Sequence, residues 1–196
     1  MVAPATLDRR EAVAALLADR GALLVVAGLG SPAYDLHAAG DHDANFYLWG
    51  AMGGAALMGL GLAQAQPDKP VLVLTGDGEA LMGLGGLATI AVAAPGNLTI
   101  AVVNNGHFGE TGMQRSHTGR GLDLAAVAAA CGFAETGIVT DMAGVAGLCA
   151  VLHRPAAGPR LFVLRVEARN LPRSLPARDA VYLKTRFRAH LGLGVS

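Results

Sequence analysis

The sequence predicts a doubly wound α/β domain: a parallel sheet with helices over both faces. Two observations lead there. Short apolar segments alternate with helical ones along the chain, and the apolar segments, such as Leu23-Leu24-Val25-Val26-Ala27 and Val71-Leu72-Val73-Leu74, are continuous instead of alternating with polar residues. Strands of that kind are buried on both faces, as in parallel sheets. A length of 196 residues suits a single domain spanning 1–196, large enough to close one core.

The elements follow in order. Leu7, Val13, Leu16 and Leu17 fall on one helical face, with Thr6 in N-cap position. Ala22–Ala27 is a strand bounded by glycines, and Pro32 suits the first turn of the next helix, where its missing N–H does no harm. Asn45–Trp49 reads as a strand, Gly53–Gln66 as a helix, Val71–Leu74 as a strand, Ala80–Ala94 as a helix and Leu98–Val103 as a strand. Leu122–Ala130 and Asp141–Leu152 are helical, with a short strand near Gly137–Thr140 between them. Leu161–Val166 is the last strand and Asp179–Leu191 a closing helix. Ligands of such folds sit beyond the carboxyl ends of strands. That directs attention to Gly28–Ser31, Gly50–Gly54, Gly76–Glu79 and Asn104–Gln114.

Composition narrows the function. Formal net charge is zero, so no basic field favours nucleic acid or an anionic membrane surface. Charged residues are 15 % and apolar ones 53 % of the chain; an average soluble domain carries about 25 % charged residues, so part of the apolar surface is expected to be an interface. Cys131 and Cys149 lie in alanine-rich helical stretches and read as reduced packing residues. Asp8, Arg9, Arg10 and Glu11 occupy the place where a secretory leader needs its apolar region, so a cytoplasmic protein is expected. Phe46–Ala63 is an uncharged run of 18 residues, but five of them are glycine. A buried strand followed by a tightly packed helix accounts for it better than a membrane span.

The chemistry is densest after the third strand. Val71–Leu74 runs through Thr75 into Gly76-Asp77-Gly78-Glu79 and then a helix. Glycines let an anion approach the backbone, and the helix start offers free N–H groups and a positive dipole end. Asp77 would repel a bare phosphate there, and it fits if a divalent cation stands between carboxylate and phosphate. The following strand ends at Asn104-Asn105-Gly106, 28 positions beyond Asp77. One helix and one strand fill that distance, so Asp77 and Asn105 meet at the same sheet edge. With a backbone carbonyl near His107, they offer three oxygen ligands suited to Mg²⁺.

Gly76-Asp77-Gly78 through Asn104-Asn105 resembles the signature of thiamine diphosphate (ThDP)-dependent enzymes, which holds the cofactor's diphosphate through a metal. The resemblance implies the PP-type fold. It places Gly76, Asp77, Gly78, Glu79, Asn105, His107 and Phe108 around the cofactor, with Asp77, Asn105 and His107 on the metal. Gly50-Ala51-Met52-Gly53-Gly54 resembles the turn whose carbonyl meets the cofactor's 4′-amino group. On that likeness Gly50 holds the amino group and Met52 props the cofactor into its bent shape.

A closer likeness is to the small two-subunit or PP-domain-only decarboxylases of 3-sulfopyruvate and phosphonopyruvate. It is carried by Asn45 to Gly50, Ala80 to Ile90, Asn97-Leu98, Gly109 to Gln114 and Lys184 to Phe187. It implies a Mg²⁺- and ThDP-dependent decarboxylase of a small 2-oxo acid. His107 and Glu110 are then the catalytic candidates for proton transfer, and Gln114, Arg115 and His117 candidates for a substrate anion. ThDP enzymes pair a PP domain with a PYR domain, whose glutamate protonates N1′ of the pyrimidine. One PP-type domain uses all 196 residues, so that glutamate is expected from a separate PYR-domain subunit in a hetero-oligomer. A ThDP-dependent carboligase or transferase would share every one of these motifs. Gly28-Leu29-Gly30-Ser31-Pro32-Ala33 also fits a dinucleotide fingerprint, but Leu48-Trp49-Gly50 stands where its acidic residue belongs.

Overall fold

The computed structural model describes residues 7–194. Six parallel strands form one sheet: β1 Leu24–Ala27, β2 Asn45–Tyr47, β3 Val71–Gly76, β4 Leu98–Asn104, β7 Glu135–Val139 and β8 Arg160–Arg165, in the order β2-β1-β3-β4-β8-β7. Between β4 and β7 lies a two-residue-strand hairpin, β5 His107–Phe108 with β6 Gln114–Arg115. The chain leaves β1 toward one edge and resumes at β3 on the other side. The gap between the carboxyl ends of β1 and β3 is therefore the switch point at which such sheets bind ligands.

Both faces are covered, as the continuous apolar strands require. Helices α1 Arg9–Leu17, α2 Ser31–Ala38 and α7 Met142–Leu152 pack Leu16, Leu36 and Leu148 against one face. Helices α3 Ala55–Ala65, α5 Gly86–Ala93 and α6 Leu124–Cys131 pack Leu60, Ile90 and Leu124 against the other. The residues of β1 divide accordingly, Val25 and Ala27 to the first core and Leu24 and Val26 to the second. The closing helix α8 Ala180–His190 lies at the β2 edge, where Phe187 meets Phe46 edge to face at 5.9 Å. Phe46 is thus covered by its own chain.

Three sequence expectations change. The helix expected over Ala80–Ala94 is two, α4 Asp77–Met82 and α5, parted at Gly83–Gly85. The cause is the neighbouring turn: a Cβ on Gly83 would stand 2.2 Å from the Gly53 carbonyl oxygen, so the chain bends where only glycine fits. Leu7 precedes α1 instead of joining its apolar face, and bridges in parallel to Val166. Asp8 caps α1, its carboxylate accepting from the N–H groups of Arg10 and Glu11; Thr6 lies outside the described residues. Cys131 and Cys149 are free thiols, as expected. Among the described residues no helix is long and apolar enough to cross a membrane.

Between β8 and α8 the chain crosses the carboxyl edge of the sheet without regular structure. Polar ties hold it there: Asn170 to the Gly109 carbonyl, Arg173 to Glu110 at 2.8 Å, Ser174 to His37 at 2.7 Å, and the Trp49 indole N–H to the Ala177 carbonyl at 2.9 Å.

Candidate functional site

A cleft with about 710 Å³ of open space lies at the switch point. Leu29 to Pro32 from the end of β1, Gly76 to Glu79 from the end of β3, and Asn105 with His107 to Thr111 beyond β4 line it, with Met52 at one side. Of the residues singled out by sequence, Met52, Gly76, Asp77, Gly78, Glu79, Asn105, His107, Phe108 and Glu110 all meet here. Gly50 does not line the cleft; it sits two positions before Met52 with φ +78°, a conformation that glycine adopts without strain.

Asp77 opens α4 and is buried. Its Oδ2 accepts from Ser116 Oγ at 2.5 Å and from Thr118 Oγ1 at 2.8 Å. Thr118 Oγ1 also lies 2.8 Å from Asn104 Oδ1, which accepts the Gly106 N–H as well. The end of β3, the end of β4 and the segment beyond the hairpin are thus tied through one carboxylate. Sequence reasoning missed Ser116 and Thr118. Spacing gave no signal for them, because His117 between them has helical backbone angles and Thr118 opens a short 3-10 turn.

Asn105 Oδ1 accepts the His107 N–H at 2.9 Å, an Asx turn that fixes the loop while leaving a second lone pair on the oxygen. His107 Nδ1 stands 2.8 Å from the Asn105 carbonyl oxygen. A carbonyl only accepts, so Nδ1 carries the proton, and Nε2 of the neutral ring is the acceptor. The Phe108 ring lies over Gly78, where a Cβ would come within 2.9 Å of it. Among the described residues no three His, Cys, Asp or Glu side chains converge as a metal centre. A cation in this cleft would therefore depend on carboxylate, amide, carbonyl and phosphate oxygens, a donor set that suits a hard ion such as Mg²⁺.

Glu79, which the resemblance places around the cofactor, lies in the first turn of α4. It is buried, with Oε2 accepting from Thr75 Oγ1 at 2.8 Å and Oε1 without a hydrogen-bond partner among the described residues. Burial pushes its carboxyl above the ordinary glutamate range, against the opposing pull of Thr75 and of the Ala55 and Gly53 N–H groups. The carboxyl fills the space above Gly28, where a Cβ would lie 1.5 Å from Oε2. Gly28–Gly30 is accordingly a tight turn closed by Glu79, and Ser31–Ala33 already belong to α2. Glu110 pairs with Arg173 at the cleft's exposed mouth. Gln114, Arg115 and His117 are exposed and do not line the cleft.

Comparison with known proteins agrees with this geometry. Residues 33–165 match the family described as thiamine pyrophosphate enzyme, C-terminal TPP binding domain. The chain is 40 % identical over 170 residues to a phosphonopyruvate decarboxylase of Streptomyces viridochromogenes, a match covering 84 % of this chain and 41 % of that protein. It is 42 % identical over 127 residues to the sulfopyruvate decarboxylase subunit beta of Methanothermobacter thermautotrophicus, covering 65 % of this chain and 68 % of that one. The chain thus spans less than half the length of the phosphonopyruvate decarboxylase it matches. In fold it resembles benzoylformate decarboxylase from Polynucleobacter necessarius, with TM-score 0.69 and 17 % identity over 87 % of this chain and 36 % of that one. The chain belongs to the thiamine pyrophosphate enzymes, whose C-terminal cofactor-binding domain it carries.

Proposed function

We propose that this chain is the diphosphate- and Mg²⁺-binding subunit of a ThDP-dependent 2-oxo acid decarboxylase, active with a separate PYR-domain chain that supplies the catalytic glutamate. The observation that carries the reading is the convergence of Asp77, Asn105 and Met52 on one cleft at the switch point of a chain from this family. Two relatives add the substrate class: one is named a phosphonopyruvate decarboxylase, the other a sulfopyruvate decarboxylase subunit beta.

When bound, ThDP would supply the nucleophilic carbon and the electron sink that decarboxylation of a 2-oxo acid requires. The protein's own part is placement. Asp77 and Asn105 would hold the metal, and Ser116 and Thr118 fix the Asp77 carboxylate. Gly76, Gly78 and Phe108 would shape the diphosphate seat, with Glu79 beside it. Gly50, just outside the cleft, would offer its carbonyl to the pyrimidine amino group, and Met52 would support the cofactor from the cleft wall. His107, with Nε2 as acceptor, and Glu110 at the mouth are the groups placed to move a proton to or from substrate.

The partner has an apolar face to dock on. Met52, Leu57 and Met58 around α3 and Met82 and Val92 on α4 and α5 are exposed, and Val92 is 88 % so. Phe46 is no part of this face, because Phe187 packs on it.

The experiment is an assay of 3-phosphonopyruvate, 3-sulfopyruvate and pyruvate decarboxylation at saturating ThDP and Mg²⁺, with and without the PYR-type chain. Turnover only in the mixture is expected. Robust turnover by this chain alone would remove the subunit reading and make Glu110 and Glu79 the first acids to mutate.

A further inference from the structure

The reading above leaves unused a cation in the wall of the cleft. Arg9 opens α1, is 5 % exposed and lines the cleft beside Leu29 to Pro32. Its Nη1 donates to Asp35 Oδ2 at 2.7 Å, while Arg10 Nε reaches Asp35 Oδ1 at 3.2 Å. Asp35 is fully buried. One carboxylate therefore answers two guanidiniums, of which Arg10 is 29 % exposed and reaches solvent while Arg9 does not. A buried guanidinium that shares its one carboxylate still gains from a further partner on its remaining donors.

The geometry shows where a counter-charge would sit. Arg9 Nε is shielded from solvent and has no acceptor among the described residues. Arg20, Arg160 and Arg186 also carry an unpartnered buried nitrogen, but none of them lines this cleft. A guanidinium presents its donors in flat two-pronged edges. With Nη1 committed to Asp35, the Nε/Nη2 edge remains, the arrangement that grips two oxygens of a phosphate or carboxylate. Next to it begins α2, whose first turn leaves the Ser31 N–H uncapped, since Pro32 has no N–H and Ala33 and Tyr34 donate to the Gly30 carbonyl. Its positive end favours an anion. Pro32 of that first turn lies 3.9 Å from where a Gly76 Cβ would be, which puts the start of α2 against the turn leading to Asp77.

We propose that Arg9 is an anion-binding residue of the cleft, its unpaired Nε/Nη2 edge and the start of α2 together taking one tetrahedral oxyanion group of the phosphoryl, phosphonate or sulfonate type. The proposal rests on the cofactor reading only in taking this cleft as the ThDP cleft. Two sources carry that chemistry: the diphosphate of the cofactor and the distal acid of a substrate.

The test follows the Nε–Hε resonance of Arg9, assigned through bonds in the ¹⁵N-labelled chain, during titration with inorganic phosphate, with Mg²⁺-ThDP, and with 3-phosphonopropionate added after Mg²⁺-ThDP. A shift on adding Mg²⁺-ThDP makes the diphosphate the occupant. A shift only on adding 3-phosphonopropionate makes it the substrate's acid. In calorimetry, Arg9→Lys should weaken binding of that occupant by about 10-fold or more, the equivalent of one lost charge-assisted hydrogen bond. Arg10→Met, which also touches Asp35, should leave that affinity unchanged. An Arg9 resonance unmoved by all three ligands overturns the proposal, as does wild-type affinity in a folded Arg9→Lys chain. If Mg²⁺-ThDP binds while Arg9 stays silent throughout, the inference fails and the cofactor reading stands. If phosphate moves Arg9 but calorimetry finds no Mg²⁺-ThDP binding, the cofactor reading fails and the anion site stands.

Discussion

Ser116 Oγ donates to Asp77 Oδ2 across a separation of 39 positions, and both side chains are buried. A carboxylate that is to hold a cation, the role proposed for Asp77, must keep its geometry before the cation arrives, and a hydroxyl pair is a neutral way to hold it. Ser116 and Thr118 use one oxygen of Asp77 without introducing a competing positive charge. The same Thr118 hydroxyl reaches Asn104, so the two strand ends move as one unit.

Removing that support should weaken the metal more than the fold. Residues orienting a metal ligand commonly contribute about 10–100-fold in affinity, so Thr118→Val should raise the Mg²⁺ requirement for ThDP binding by about that factor. Calorimetry of ThDP at varied Mg²⁺ checks this. Asp77→Ala should abolish retention outright, and unchanged affinity in that variant would remove Asp77 from the metal.

Gly28 and Glu79 should be coupled. The Cβ of Gly28→Ala would overlap the Glu79 carboxyl, whose Oε2 Thr75 holds in place. Overpacking of this kind costs about 1–3 kcal/mol. Adding Glu79→Ala should relieve part of it, so the double variant should be more stable than the two single losses sum to. Strict additivity in urea denaturation would mean that Glu79 swings clear at no cost.

Much of the site was legible in the sequence because it lies at strand ends, and strand ends follow from apolar runs. Asp77 and Asn105 could be paired from spacing alone. Gly83 could not be read as a helix break, because its reason is the Gly53 carbonyl of another loop. Leu7 failed similarly: its apolar character fits a helix face as well as the bridge to Val166 that it forms. Ser116 and Thr118 escaped notice because hydroxyls carry no periodic signal strong enough to point at one acid 39 positions away. Arg9 was hidden for the opposite reason, since a charged residue in a first helical turn reads as surface until tertiary packing buries it.

Stability should depend on pH through Asp41. Burial raises its carboxyl pKa, but Arg186, the Tyr47 hydroxyl and the His42 N–H outweigh it and hold the pKa below the ordinary carboxylate range. A group lowered in the folded state contributes stability above its unfolded pKa and loses it as pH falls through the folded value. Asp41→Asn should therefore destabilise the chain at pH 7, and the difference from wild type should shrink in acid. Asp41 is partly exposed, so solvent screening keeps the effect small, on the order of 1 kcal/mol or about 2–4 °C in Tm. Melting curves of both proteins at pH 7 and pH 3 test this, and a gap that persists in acid would point to packing of α8 on β2 instead.

Met52 gives the sharpest separation between binding and chemistry. Its side chain lines the cleft, yet it is 43 % exposed and belongs to no core cluster. Truncating it should therefore leave the fold nearly untouched, within about 0.5 kcal/mol as for surface substitutions. Asp77, Asn105 and the Gly76–Gly78 turn approach the cleft from other loops, so the diphosphate seat should also survive. What Met52→Ala removes is the prop beneath the bend of the cofactor, and misplacement of reacting groups by about 1 Å is enough to lower rates some 100-fold. The expected pattern in the assembled enzyme is ThDP affinity within about threefold of wild type and a kcat lower by about 10–100-fold. Parallel loss of ThDP affinity and kcat, measured by calorimetry and by CO₂ release, would show that Met52 shapes the cleft as a whole and is not a prop for the bend.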